Sequence, residues 1–176
     1  LGTCHLAREL AQASELSDSE VELAGLAGLL HDLGHGPFSH LSDAVPGLES
    51  HEEVTTRLLS QGAYSEHLVA QDIDVAQLVK VQKGEHGLSP LISSELDADR
   101  MDYLARDAYY CGISTGADLG RLVATLKLTG GQLQVTPNAL AAVEAMLVAR
   151  HIMYPIVYLH PTARAAELLV ARAVEQ

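Results

Sequence analysis

The chain has 176 residues, 48% of them hydrophobic, with no Trp and one Phe, so its core must come from Leu, Val, Ile and Ala, a composition that favours packed helices. At this length about 70% of the unfolded surface can be buried. The formal charge of −12, from 11 Lys and Arg against 23 Asp and Glu, argues against a broad nucleic-acid-binding surface; a polyanionic ligand would need a metal ion and a few placed arginines to reverse the sign locally.

The first fifteen residues read as a helix, with Leu6, Leu10 and Ala13 at helical spacing. Ser17 and Glu20 form a capping-box pattern that starts a second helix, running to His31 or Asp32, where Gly34, Gly36 and Pro37 end it. Helices follow near residues 51–61 and 73–82, with polar loops between them. Residues 94–110 form another helix. Met101, Leu104, Ala105 and Ala108 face the core, and Asp99, Tyr103, Arg106 and Tyr110 share the opposite side. Gly130-Gly131 joins residues 122–128 to 132–136 as a small β-hairpin. Two last helices cover residues 138–153 and 161–174, and Pro155 interrupts or kinks the first. No repeat or linker divides the chain, so residues 1–176 read as one mainly α domain with one hairpin near residues 122–136. No apolar run reaches the length of a membrane span and no signal peptide precedes the first helix. Cys4 and Cys111 match no thiolate metal spacing, and a reduced, cytoplasmic protein is expected.

The chemistry concentrates at His31-Asp32. Neighbouring side chains on a helix point about 100° apart, so they share one ion only where the helix is ending. Asp99, on the polar face of its helix, is the candidate third ligand. Mixed imidazole and carboxylate donors suit Mn²⁺, Mg²⁺, Fe²⁺, Ni²⁺ or Zn²⁺. An alternative is a zinc pair of His31 and His35 at i, i+4, which Gly34 and Gly36 disfavour by breaking the helix. Three histidines and an aspartate within residues 31–40 are denser than a solvated loop collects. Arg106 and Asp107 read equally well as ion-pair partners, Tyr109 and Tyr110 as core or loop anchors, and His67, His86 and His151 as surface or packing residues.

His31-Asp32, then Gly34-His35-Gly36-Pro37-Phe38-Ser39-His40, then His51-Glu52, then Asp97-Ala98-Asp99-Arg100-Met101-Asp102-Tyr103, resemble the HD superfamily of metal-dependent phosphohydrolases, and within it the deoxynucleoside triphosphate triphosphohydrolases. The resemblance implies an HD-domain helical bundle with His31, Asp32 and Asp99 as ligands of a divalent metal ion. It also implies a further histidine ligand just ahead of a Leu-Gly pair like Leu1-Gly2. That position falls before Leu1, and the start at Leu rather than Met reads as a fragment lacking upstream residues. In the same family water attacks the α-phosphate of a deoxynucleoside triphosphate, releasing deoxynucleoside and tripolyphosphate. By resemblance His40 donates the proton to the leaving oxygen, His35 and His51 contact the α-phosphate, and Asp43 orients a histidine. Asp97, Arg100, Tyr103, Arg106, Arg150 and Tyr158 are implied around the substrate, Tyr103 against the sugar and Arg150 on distal phosphates. Tyr154 stands where the family often has histidine. Homo-oligomers are the rule there. The alternatives are an HD phosphodiesterase or nucleotidase acting on another nucleotide, and a nucleotide-sensing or scaffolding module with a degraded site.

Overall fold

A computed structural model describes residues 1–36, 47 and 49–174. Among them the chain is mainly α, with one hairpin. Helix α1 (Gly2–Ala13) buries Leu6, Ala7, Leu10 and Ala11 and packs on α2 (Asp18–Leu30). The capping box at Ser17 and Glu20 is formed in both directions, satisfying two N–H groups that the first turn of a helix leaves unpaired. The two helices approach closely because α2 presents glycines: a β-carbon at Gly28 would stand 3.0 Å from the Thr3 carbonyl oxygen. Next come α3 (His51–Ser60), opened by a second capping box from Ser50 and Glu53, then α4 (Ala63–Ala70) and α5 (Val75–Gln82). The sequence reading places only a polar loop where α4 lies. That helix buries Leu68 alone and so shows no apolar stripe.

Helix α6 (Ala98–Tyr110) starts four residues later than expected, because Asp97 caps it by accepting from the N–H of Arg100. Met101, Leu104 and Ala108 are buried as the stripe requires, with Ala105 half-buried. Tyr109 and Tyr110 are 79% and 80% exposed and pack edge-to-face on each other, which corrects their assignment as core or loop anchors. Helix α7 (Leu119–Thr125), capped by Asp118, takes the residues expected to begin the hairpin. The strands are therefore only β1 (Leu126–Thr129) and β2 (Gln132–Val135), antiparallel with Leu128 opposite Leu133. Gly130 and Gly131 both take positive φ, as a two-residue hairpin turn demands.

A 3₁₀ turn (Pro137–Ala139) leads into α8 (Leu140–Met153), and a π turn over Tyr154–Tyr158 follows before α9 (Pro161–Val174). Pro155 lacks the N–H that an α-turn needs, and the helical path widens past it instead of stopping. The run Pro137–Tyr158, 22 residues with mean hydropathy 1.5, is consequently long and apolar enough by length and composition to cross a membrane, contrary to the sequence reading. Part of that apolarity serves the core, since Ala142, Val143, Met146, Ala149 and Met153 are buried. The core is one continuous cluster in which α1 contacts α2, α6, α7 and β1. Each fully buried Leu or Met in it, such as Leu10, Leu59, Leu78, Met101 or Leu104, contributes about 2–3 kcal/mol. The site lies at one end of α2 and α3, along the polar face of α6.

Candidate active site

Where α2 ends, His31 and Asp32 turn toward α6. His31 Nδ1 lies 3.0 Å from the Gly28 carbonyl oxygen. A carbonyl only accepts, so Nδ1 carries the hydrogen and fixes the ring. Its Nε2 is buried, 3.1 Å from Asp99 Oδ1 and 3.3 Å from Asp32 Oδ1, and has no hydrogen-bond partner among the described residues. A neutral imidazole there aims its lone pair at two carboxylate oxygens, which repel it unless a cation or proton lies between them. Burial resists protonation of His31, but Asp99 and Asp32 outweigh it and raise the pKa above the ordinary histidine value. Burial also resists ionisation of Asp99; contact with His31 outweighs it and holds the carboxyl below the usual carboxylate range. His31, Asp32 and Asp99 place one ligand atom each within 4.8 Å of one another. The donor set, and the buried nitrogen without a hydrogen-bond partner, fit a divalent cation.

A second group shares Asp32. Its carboxylate lies 3.4 Å from His35 Nε2, and His35 stacks on His51 with ring centroids 4.1 Å apart. His51 is brought there by a tight junction between the turn and α3. Thr55 of α3 is 1% exposed, accepts from the N–H of Gly34 at 2.8 Å and donates to the His31 carbonyl at 3.2 Å. A β-carbon at Gly34 would come within 2.1 Å of the His51 carbonyl oxygen and 2.5 Å of the Thr55 nitrogen, so only glycine fits. Sequence reasoning missed Thr55, whose part depends on a residue 21 positions away.

A pocket of about 590 Å³ opens over this centre, within the range of small-molecule sites. His31, Asp32, His35, His51, Asp97, Asp99, Arg100, Tyr103, Arg106 and Tyr158 of the predicted set all line it. Arg150 stands beside it, its guanidinium 5.4 Å from the centre of the Tyr154 ring. His40 and Asp43 lie outside the described residues, as does the Pro37–His40 part of the motif.

Several of these groups are already engaged. Asp97 accepts from the N–H groups of Ser94 and Arg100, and burial, the largest influence, pushes its carboxyl up. Arg106 pairs with Asp102, which also accepts from Thr3 at the start of α1. Tyr158 donates to Asp107 Oδ2 at 2.7 Å; its pKa is raised, first by burial and then by that bond. Tyr103 meets Tyr158 edge-to-face, and burial together with Tyr154 pushes it up to about 12. Asp107 and Tyr154 line the pocket without having been predicted there. Asp107 was legible: Asp99, Tyr103 and Asp107 run at strict i, i+4 spacing along α6. Among the described lining residues, Asp32, Glu52, Asp97, Asp99 and Asp107 face only two guanidiniums, Arg100 and Arg106. A bound polyanion thus needs an added cation.

Comparison with known proteins agrees with this geometry. A family profile described as HD domain matches residues 1–107, and one described as HD associated region matches residues 117–176. The uncharacterized protein YwfO of Bacillus subtilis is 40% identical over 170 residues, covering 92% of this chain and 39% of that protein. The deoxynucleoside triphosphate triphosphohydrolase SAMHD1 homolog of Dictyostelium discoideum is 27% identical over 196 residues, covering 98% of this chain and 38% of that protein. The crystal structure of the phosphohydrolase BT4208 of Bacteroides thetaiotaomicron superposes with a TM-score of 0.85 at 31% identity, over 99% of this chain and 45% of that one. The chain thus spans less than half the length of these relatives. With its profile match over residues 1–107 and a helical fold built around His31-Asp32, the chain belongs to the HD-domain superfamily of phosphohydrolases.

Proposed function

We propose that the chain carries the metal-dependent hydrolysis of deoxynucleoside triphosphates to deoxynucleoside and tripolyphosphate. The observation that supports it most is the convergence of His31, Asp32 and Asp99 around a buried nitrogen without a hydrogen-bond partner, inside a pocket that also presents imidazoles, guanidiniums and tyrosines. The named dNTP triphosphohydrolase among the relatives supports the substrate class. A divalent cation held by His31, Asp32 and Asp99 supplies Lewis acidity, activating water as a nucleophile and neutralising phosphoryl charge.

The remaining work falls to side chains of the chain. His35 and His51, stacked beside Asp32, are positioned to hold the α-phosphate. In this reading His40 protonates the leaving 5′-oxygen and Asp43 orients a histidine. Arg100 and Arg150 take the distal phosphates as charge-assisted donors. Tyr103 offers its ring to the sugar, with Tyr158 and Asp107 alongside, a polar pair able to address a sugar hydroxyl. Asp97 and Arg106 shape the pocket wall through the contacts that already occupy them. The free Cys4 and Cys111 suit a reducing, cytoplasmic compartment. Self-association belongs to the same proposal, and the exposed Leu168 and Leu169 of α9 support it.

Tyr158→Phe removes the hydroxyl that Asp107 accepts. A hydrogen bond to a charged group contributes about 1.5–3 kcal/mol, so the variant is expected to lose stability by up to about that amount; urea unfolding of the variant checks this. The metal site also has a pH signature. The pKa of His31 is raised in the folded, metal-free protein, so its contribution to stability is full below about 6.5 and is lost as pH rises through the folded value. A cation replaces that proton, and the rise in Tm on adding Mn²⁺ is expected to be larger at pH 8 than at pH 6 in thermal melts after chelation.

Substrate class is tested by a panel of deoxynucleoside triphosphates, nucleoside monophosphates and a phosphodiester, each with Mn²⁺ or Mg²⁺. Turnover of the triphosphates alone is expected. Turnover of monophosphate or diester with the triphosphates inert would transfer the site to nucleotidase or phosphodiesterase chemistry. No turnover together with no metal binding would favour a sensing or scaffolding module.

A further inference from the structure

Glu95 lies in the turn before α6. One of its carboxylate oxygens, Oε2, stands 3.1 Å from Arg150 Nη1 and 3.5 Å from Arg100 Nη1. A single anionic oxygen thus joins guanidiniums from α8 and α6, the arrangement an oxygen of a bound phosphate would take. The Glu95 side chain is 83% exposed, and exposed ion pairs are weak enough to open readily. Both guanidiniums have other anchors: Arg100 donates to the Ser94 carbonyl and approaches Asp97, and Arg150 lies over the Tyr154 ring. They therefore keep their places when the carboxylate leaves.

We infer that Glu95 is a built-in competitor for polyphosphate, closing on Arg100 and Arg150 when the pocket is empty and yielding them to an incoming ligand. This rests on the reading above, in which those arginines take the distal phosphates. The consequence is weaker polyphosphate binding and faster loss of a tripolyphosphate product from a site whose net charge already opposes anions. Because Glu95 competes through charge, its effect is strongest at low ionic strength.

The test is calorimetric titration of the protein in Mn²⁺-containing buffer with inorganic tripolyphosphate in the same buffer, comparing wild type, Glu95→Gln and Arg150→Ala at low and moderate salt. Glu95→Gln keeps the shape and removes the charge at an exposed position, so the fold is not at risk. It is expected to bind tripolyphosphate about three- to ten-fold more tightly than wild type at low salt, with the gap narrowing as salt is raised, while Arg150→Ala binds more weakly. Equal or weaker binding by Glu95→Gln, with Arg150→Ala still weakened, would overturn the competitor and leave the phosphate reading intact. Unchanged binding in Arg150→Ala would instead remove the phosphate reading of the arginines, and the competitor with it.

Discussion

Asp32→Ala is expected to lose bound metal and to lower kcat/KM for deoxynucleoside triphosphates by about three orders of magnitude or more, while leaving the fold intact. Asp32 belongs to both donor groups of the site, with its Oδ1 3.3 Å from His31 Nε2 and 3.4 Å from His35 Nε2. Without it, His31 and Asp99 remain as the two donors of that group among the described residues, which weakens its hold on a cation against water. Removing even one fixed electrostatic contact to a transition state costs about 10²–10³ in rate, and removing the cation costs more. The Asp32 side chain is 55% exposed, so chelator-treated variant and wild type should melt at similar temperatures. Metal analysis, kinetics and circular dichroism on one preparation separate loss of metal from loss of fold.

Gly34→Ala is expected to destabilise the protein by about 3 kcal/mol or more and to weaken metal binding. The added β-carbon would overlap the His51 carbonyl oxygen and the Thr55 nitrogen, which are backbone atoms of the first turns of α3 and cannot swing aside. Relief requires α3 to move off the turn. That breaks both Thr55 hydrogen bonds and draws His51 away from His35, so overpacking and lost polar contacts act together. Gly36→Ala is the control, since no atom of the described residues stands within 4 Å of a β-carbon there. Urea unfolding of the two variants should separate them clearly, with Gly36→Ala close to wild type.

The fold was legible wherever local chemistry decides it. Ser17 and Glu20 announce the start of α2, Gly130-Gly131 the hairpin turn, and the Met101, Leu104, Ala108 stripe the buried side of α6. It was hidden where tertiary context decides it. Helix α4 offers one buried side chain and no period, and the π turn carries the helix past a proline that reads as a stop. The start of α6 was misplaced because its cap is Asp97, a residue that the resemblance had placed around the substrate.

Much of the pocket's membership could be read from the chain, because chemically unusual residues cluster around a helix end and along one face of α6. Their present partners could not. Arg106 faces Asp102, Tyr158 faces Asp107 and Thr55 closes on Gly34, and such pairings depend on how elements distant in sequence meet. Asp107 was overlooked for a different reason: with Arg106 beside it, an ion pair was the simpler reading of both residues.

Under the proposed function, a deoxynucleoside triphosphate attacked at its α-phosphate would leave the pocket as deoxynucleoside and tripolyphosphate. The most direct measurement incubates each such triphosphate with the protein and Mn²⁺ and resolves the products by anion-exchange chromatography, with Asp32→Ala in parallel. Deoxynucleoside and tripolyphosphate in equal amounts, absent with the variant, are the predicted result. Release of orthophosphate or pyrophosphate instead, or equal turnover by Asp32→Ala, would contradict attack at the α-phosphate in a site built on His31, Asp32 and Asp99.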